Sequence, residues 1–212
     1  MTDSADARSE ILNRIRQARG SNVSKEVARA RIDQPPSFTR PMLTGDLTDR
    51  LVEQMEAVLM TVARIQTSSE IVEAVRWYLD SEGIEGPVTV APGLNNLDWP
   101  ENYGVGAATG EEAASVTPCL GAVAETGSLA LGSSDESPNT LAFLPETHIV
   151  VVNESQVVGH LEDLWAQVRD QDVLPRAVNL ITGPSRTGDI EQTIEIGAHG
   201  PRKMHVLIVA DS

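Results

Sequence analysis

Apolar residues recur at helical spacing in two stretches before Leu79. From Pro87 onward they come instead in short, β-branched runs. That change of period limits the folds open to the chain, because a 3.6-residue period buries one stripe of a helix and a short apolar run buries a strand. Ile11, Leu12, Ile15 and Ala18 predict a short amphipathic helix over 5–19. Residues 20–46 carry Gly20, Pro35, Pro36 and Pro41 with little periodicity, and predict an irregular linker or wrapped arm. Leu51, Met55, Val58, Leu59, Val62 and Ile65 predict a helix from Leu47, and Ile71, Val72, Val75 and Leu79 a second one that Ser69 could cap. Strands are expected at 87–91, 114–117, on both sides of a break at Thr126-Gly127 within 122–131, at 147–152, 177–182 and 204–210. A helix is expected at 158–168. Helices first, then strands with few helices between, predict a layered α/β sheet with mixed strand directions. The expected organisation is an N-terminal helix and Pro-containing linker over 1–46, followed by one α/β domain over 47–212.

A chain of 212 residues can bury a core of this kind without staples. Aromatics make up only 3%, so aliphatic side chains must fill it. The single cysteine, Cys119, excludes an internal disulfide and a cluster held by this chain's cysteines alone. No basic-then-apolar leader opens the sequence, and no apolar run approaches the roughly 18–20 residues that span a bilayer. A cytoplasmic protein without membrane insertion is therefore expected.

The net charge of −15 argues against nucleic acid as a general ligand. Its distribution is uneven. From Trp77 to Val168 there are fourteen acids and no Lys or Arg, whereas residues 1–32 hold seven basic residues against four acids. The acidic stretch serves as a solvated face or meets a basic partner. The basic amphipathic helix, with Arg8, Arg14, Arg16 and Arg19, suits docking on this domain, on a partner or on another copy, so a homo-oligomer is possible.

Three loop motifs could carry chemistry. Gly183-Pro184-Ser185-Arg186-Thr187-Gly188-Asp189-Ile190-Glu191 follows a strand. Its glycines can turn backbone N–H groups toward an anion, Ser185 and Thr187 add hydroxyls, and Arg186 adds a planar fork for carboxylate or phosphate. Asp189 and Glu191 could orient Arg186 or act as bases. A turn with Asp189 capping a short helix accounts for the same residues. Gly197-Ala198-His199-Gly200-Pro201 places His199 between small residues, as a general acid or base or as a turn histidine bonded to backbone. Ala124-Glu125-Thr126-Gly127-Ser128 puts a carboxylate inside an apolar run, which is costly unless it is exposed, paired or functional. Ser185, His199 and Asp189 are the ingredients of a hydrolase triad, but no G-x-S-x-G elbow surrounds Ser185. His148 and His205 lie in apolar strands and are expected to be structural; His160 sits near a helix start. No histidine has metal-ligand spacing to another or to Cys119.

Taken together, Ala124–Ser128, Leu144-Pro145 followed by His148-Ile149, Thr182–Glu191 and Gly197–Pro201 resemble the lactate-utilization protein C family and its LUD domain. The resemblance implies an open three-layer α/β/α sandwich like that of the coenzyme A transferase and ribose-phosphate isomerase group. It further implies an accessory, non-redox role in oxidising L-lactate to pyruvate beside partner subunits that carry iron–sulfur clusters, with no cofactor on this chain. The expected ligand is a small organic anion or a phosphorylated molecule. Thr126, Gly127, Ser128, Gly183, Ser185, Arg186, Thr187, Asp189 and Glu191 are the candidate binding residues, and Glu125 and His199 the candidate catalytic ones. Two other functions fit the same motifs: an enzyme of the coenzyme A transferase or sugar-phosphate isomerase type that uses Glu125, and a scaffold without ligand.

Overall fold

A computed structural model describes residues 4–19, 25–33, 39–188, 194–197 and 199–211. The chain divides into two compact units, Met1–Pro41 and Met42–Ser212. The first unit contains helix α1 (Ser4–Arg19), where a helix is expected. It also contains a second helix, α2 (Lys25–Asp33), inside the segment expected to be irregular. The run Lys25-Glu26-Val27-Ala28-Arg29-Ala30-Arg31 consists largely of strong helix formers, and the nearby prolines conceal it.

The second unit begins with α3 (Leu47–Ala57), capped by Asp46, whose carboxylate accepts from Asp49 N at 2.9 Å. The helix was expected to run on toward Ile65. It stops instead at a Schellman closure: Leu59 N donates to Glu56 O and Met60 N to Met55 O, both at 3.0 Å. Leu59 takes the left-handed conformation there, φ 68°, which glycine normally supplies. Residues Thr61–Ile65 form strand β1 because they pair residue for residue with the last strand of the chain, Thr61 with His205 through Ile65 with Val209. Sheet pairing overrides a helical spacing that Val62 and Ile65 continue by coincidence.

The remaining elements follow in order: α4 (Ile71–Ser81), β2 (Val88–Val90), β3 (Gly104–Val105), β4 (Ala114–Pro118), β5 (Gly121–Val123), β6 (Ser128–Gly132), α5 (Thr140–Phe143), β7 (Thr147–Asn153), β8 (Val157–Val158), α6 (Leu161–Arg169), β9 (Val178–Ile181), β10 (Arg186–Gly188), β11 (Ile194–Ile196) and β12 (Lys203–Val209). The main sheet has six strands in the order β1-β12-β7-β4-β2-β3. Every pairing in it is parallel, where mixed directions were expected. Parallel sheets need apolar cover on both faces. Ile149-Val150-Val151-Val152 in β7 and Val206-Leu207-Ile208-Val209 in β12 supply it on alternating sides. Mixed directions occur in a second, four-stranded sheet ordered β8-β5-β6-β9.

One face of the main sheet packs Val90, Val116, Ile149 and Leu207 on Ile71, Val75, Tyr78 and Leu79 of α4. The opposite face packs Val150, Val152, Val206 and Ile208 on Leu51 and Met55 of α3 and on Ala122, Leu129 and Leu131 of the second sheet. Leu164 of α6 covers the far side of that second sheet, against Val123 and Ala130. The architecture is therefore α/β with helices on both sides. It differs from a simple three-layer sandwich by the extra sheet between β7–β12 and α6. Each fully buried Leu or Met here stabilises the fold by about 1.5–3 kcal/mol relative to an exposed one. Among the described residues, no helix is long and apolar enough to cross a membrane.

His148 and His205 lie in the core, at 0% and 3% exposure. One ring nitrogen of each bonds a threonine on the neighbouring strand at 2.8 Å, His148 to Thr117 and His205 to Thr61. The other ring nitrogens, Nδ1 of His148 and Nε2 of His205, are buried without a partner among the described residues. His205 also stacks on Tyr78, with ring centroids 3.9 Å apart. Burial favours the neutral rings and pulls His148 down to about 3 and His205 to about 4. In the unfolded chain both titrate near 6.5, so the unfolded state binds protons first as the pH drops. The stability these rings confer is complete above about pH 6.5 and is lost toward pH 4 and then 3, at up to roughly 1.4 kcal/mol per pH unit for each ring. Urea unfolding at pH 7.5 and pH 5 is expected to show this loss, and His148→Gln to remove about half of it. An identical pH dependence in the variant would mean that His148 is not held neutral by the core.

Candidate functional site

The three glycine-bearing loops singled out in the sequence come together around the C-terminal turn of α3. The first is the turn between β5 and β6. Ala124 N and Glu125 N donate to Val158 O and Gly159 O at 2.8 and 3.1 Å, extending the short parallel pairing of β5 with β8. Gly127 N then turns back to Val123 O at 2.9 Å. Gly127 has φ 71°, and a Cβ there would lie 2.8 Å from Gln54 C and 2.9 Å from Met55 N. The position needs glycine twice over, for its conformation and for its contact with the helix backbone.

This turn carries Glu125 to His160, the residue just ahead of α6. Glu125 Oε2 lies 2.9 Å from His160 Nδ1, with the side chains 29% and 13% exposed. Nothing in the sequence marks His160 beyond its place near a helix start. Its proximity to Glu125 is created by a two-residue strand pairing across 35 positions, which leaves no motif to read. A carboxylate bonded to Nδ1 fixes the orientation of the ring and turns Nε2 toward any proton transfer the ring performs.

The second loop joins the first through hydroxyls. Thr126 Oγ1 lies 2.7 Å from Ser128 Oγ, and Ser128 Oγ lies 2.6 Å from Thr182 Oγ1. Gly183 follows with φ 94°; a Cβ there would come within 2.6 Å of Val58 O. Arg186 donates from Nη2 to that same carbonyl at 2.7 Å. A guanidinium at the carbonyl end of a helix is favoured by the helix dipole as well as by the hydrogen bond. Arg186 was expected to face Glu125; no bond joins the two among the described residues, and each has the other partner just named. The segment opens a hairpin, β10 with β11, in place of a capped short helix. Thr187 lies in β10, opposite Glu195. Asp189 and Glu191 fall outside the described residues.

The third loop is tied to the second by backbone. Ser185 N donates to Pro201 O at 2.9 Å, and Gly197 N to Ser185 O at 2.8 Å. Gly200 lies against the Ser185 side chain. Arg202 N and Lys203 N both donate to Glu146 O, at 2.7 and 3.1 Å, which fastens the Leu144-Pro145 segment to the same loop. His199 is exposed. No Ser185–His199 hydrogen bond exists among the described residues, so the triad ingredients are not assembled there. No group of three His, Cys, Asp or Glu side chains among the described residues is placed to hold a metal. Cys119 is buried, and desolvation pushes its thiol up to about 12, consistent with an apolar filler.

The domain is thus a mostly parallel α/β fold whose glycine turns gather at the C-terminal end of α3. Residues 111–209 match the model of the LUD domain. Lactate utilization protein C of Geobacillus thermodenitrificans is 37% identical over 123 residues, 56% of this chain and 48% of that protein. At identities above 30%, the chain thus spans about half the length of the curated relatives it matches. The protein of the same name from Macrococcus caseolyticus is 28% identical over 90% of this chain and 94% of its own. A DUF162 family protein from Deinococcus radiodurans has the same fold, with a TM-score of 0.60 and 22% identity over 80% of this chain and 99% of that one.

Gly127→Ala is expected to destabilise the domain by about 2 kcal/mol or more, because both the left-handed backbone and the α3 contact are lost. Chemical denaturation measures this. A variant as stable as the parent would show that the turn does not depend on its packing against α3.

Proposed function

We propose that this chain serves lactate utilization by binding a small organic anion, such as lactate, pyruvate or a phosphorylated molecule, where the three loops meet. The convergence of the loops carries the reading: Thr126, Ser128 and Thr182 form one hydroxyl chain, and Ser185 joins the other two motifs. Hydroxyls, the backbone N–H of Gly183, and the Arg186 fork are the donor types that a carboxylate or phosphate requires. Thr187 and His199 belong to the same motifs as a further binding residue and a second candidate for proton transfer; Asp189 and Glu191 continue the second motif in sequence and lie outside the described residues. The Glu125–His160 pair is the candidate for moving a proton. The names of the relatives support the substrate class. Oxidising lactate to pyruvate releases two electrons, and this reading assigns them to iron–sulfur clusters on partner subunits in the cytoplasm.

A second reading rests on Glu125, which is part-exposed at a strand break. If the likeness to coenzyme A transferases extends to chemistry, Glu125 would attack an acyl thioester and release the thiol. Trapping with hydroxylamine after adding an acyl-coenzyme A separates the two readings, since the anion-binding role requires no acyl-enzyme.

Thermal unfolding with lactate, pyruvate and phosphate is expected to show stabilisation that rises with ligand concentration, and Arg186→Ala to lose most of it. Equal shifts in parent and variant would remove Arg186 from the site. The absence of any shift with all three anions would remove the reading itself.

A further inference from the structure

The outer face of α4 is uncovered and forms one wall of a groove. Val72 and Arg76, and beside them Glu73, Trp77 and Asp80, lie along it at three- and four-residue spacing, the pattern a second helix packs against. The other wall is the loop between β2 and β3, with Asn96, Leu97 and Asp98. Two adjoining cavities of about 690 and 480 Å³ share Val72, Arg76 and Asp98, so the groove runs on past Trp99, Pro100 and Tyr103. The loop wall is built to stay in place. Trp99 Nε1 donates to Leu94 O at 2.8 Å, the Trp99 and Tyr103 rings stack at 6.0 Å, and Gly93 N is tied to Glu136 O at 2.8 Å.

Aromatic residues are 3% of the chain, yet two of its three tryptophans and one of its two tyrosines line this groove. Trp77 is 67% exposed, a large apolar surface with no cover in the second unit. Glu73, Asp80 and Asp98 line the same cavity as Trp77 and Glu101 the adjoining one, with Arg76 the one cation among the described lining residues. Carboxylates beside an open indole face form a receptor for guanidinium or ammonium, which gains from the charges and from the ring together. The openness around Trp77 and the length of the groove suit an extended partner better than a small amine, which a pocket would enclose. α4 has eleven residues, roughly 16 Å of axis at 1.5 Å per residue, matching a partner segment of about three turns.

We infer that the groove between α4 and the β2–β3 loop is a docking surface for a basic amphipathic helix of a partner protein, with an arginine or lysine placed over Trp77 and between Asp80 and Asp98. This surface is separate from the loops around α3 and does not depend on what they bind. Calorimetric titration of the full chain with a synthetic helical peptide, one face bearing arginines beside isoleucines, tests it. Binding is expected, weakened about tenfold or more by Trp77→Ala, as for an aromatic anchor. Asp98→Asn is expected to weaken it severalfold. It is also expected to weaken as salt shortens the Debye length from about 10 Å toward 3 Å. Trp77 and Asp98 are exposed, so both variants keep the core intact. Unchanged affinity in Trp77→Ala, equal binding of a peptide with glutamate in place of arginine, or no binding at millimolar peptide would each overturn the proposal. So would a peptide-free dimer that Trp77→Ala dissociates, because a second copy would then occupy the groove.

Discussion

The end of α3 is the fixed point around which the domain's loops are arranged. Its last turn closes on Leu59 in a left-handed conformation, which turns the chain directly into β1 and leaves the Val58 carbonyl pointing outward. That carbonyl receives Arg186 and abuts Gly183, while Gly127 lies one turn back against Gln54 and Met55. Two turns from distant parts of the sequence can approach the same helix backbone because neither carries a side chain where they touch. The Ser128–Thr182 bond at 2.6 Å then joins them directly.

The sheet supplies the rigidity that such an arrangement needs. β7 and β12 are buried on both faces and pair in register over seven positions, so the loop that precedes β12 enters a stiff base. The polar groups kept inside this base are few and mostly paired. Thr117 meets His148, Thr61 meets His205, and the Ser115 hydroxyl donates to Leu141 O at 2.6 Å. Partly satisfied histidines in a core make its stability depend on pH.

Much of this was legible in the sequence, for reasons that can be named. The strands at 88–90, 114–118, 147–153 and 203–209 are β-branched runs bounded by turn residues, and the two glycine turns announced themselves by composition. β1 was not legible, since Val62 and Ile65 keep the spacing of the preceding helix and only pairing with β12 decides between them. α2 was hidden by flanking prolines. The parallel direction of the main sheet depends on which strands become neighbours, and spacing along the chain does not encode that. At the site, the three motifs were found but their side-chain partners were not. Glu125 meets His160 and Arg186 meets a main-chain carbonyl, and each partner exists only once a helix end is in place.

We propose that the loops at 124–128, 183–188 and 197–201 form one anion site. Backbone amide NMR of the full chain, titrated with lactate and then pyruvate, tests it most directly. Amides of all three loops are expected to shift together along one binding curve, with those lining the Trp77 groove unmoved. Shifts confined to a single loop, or centred on that groove, would contradict it.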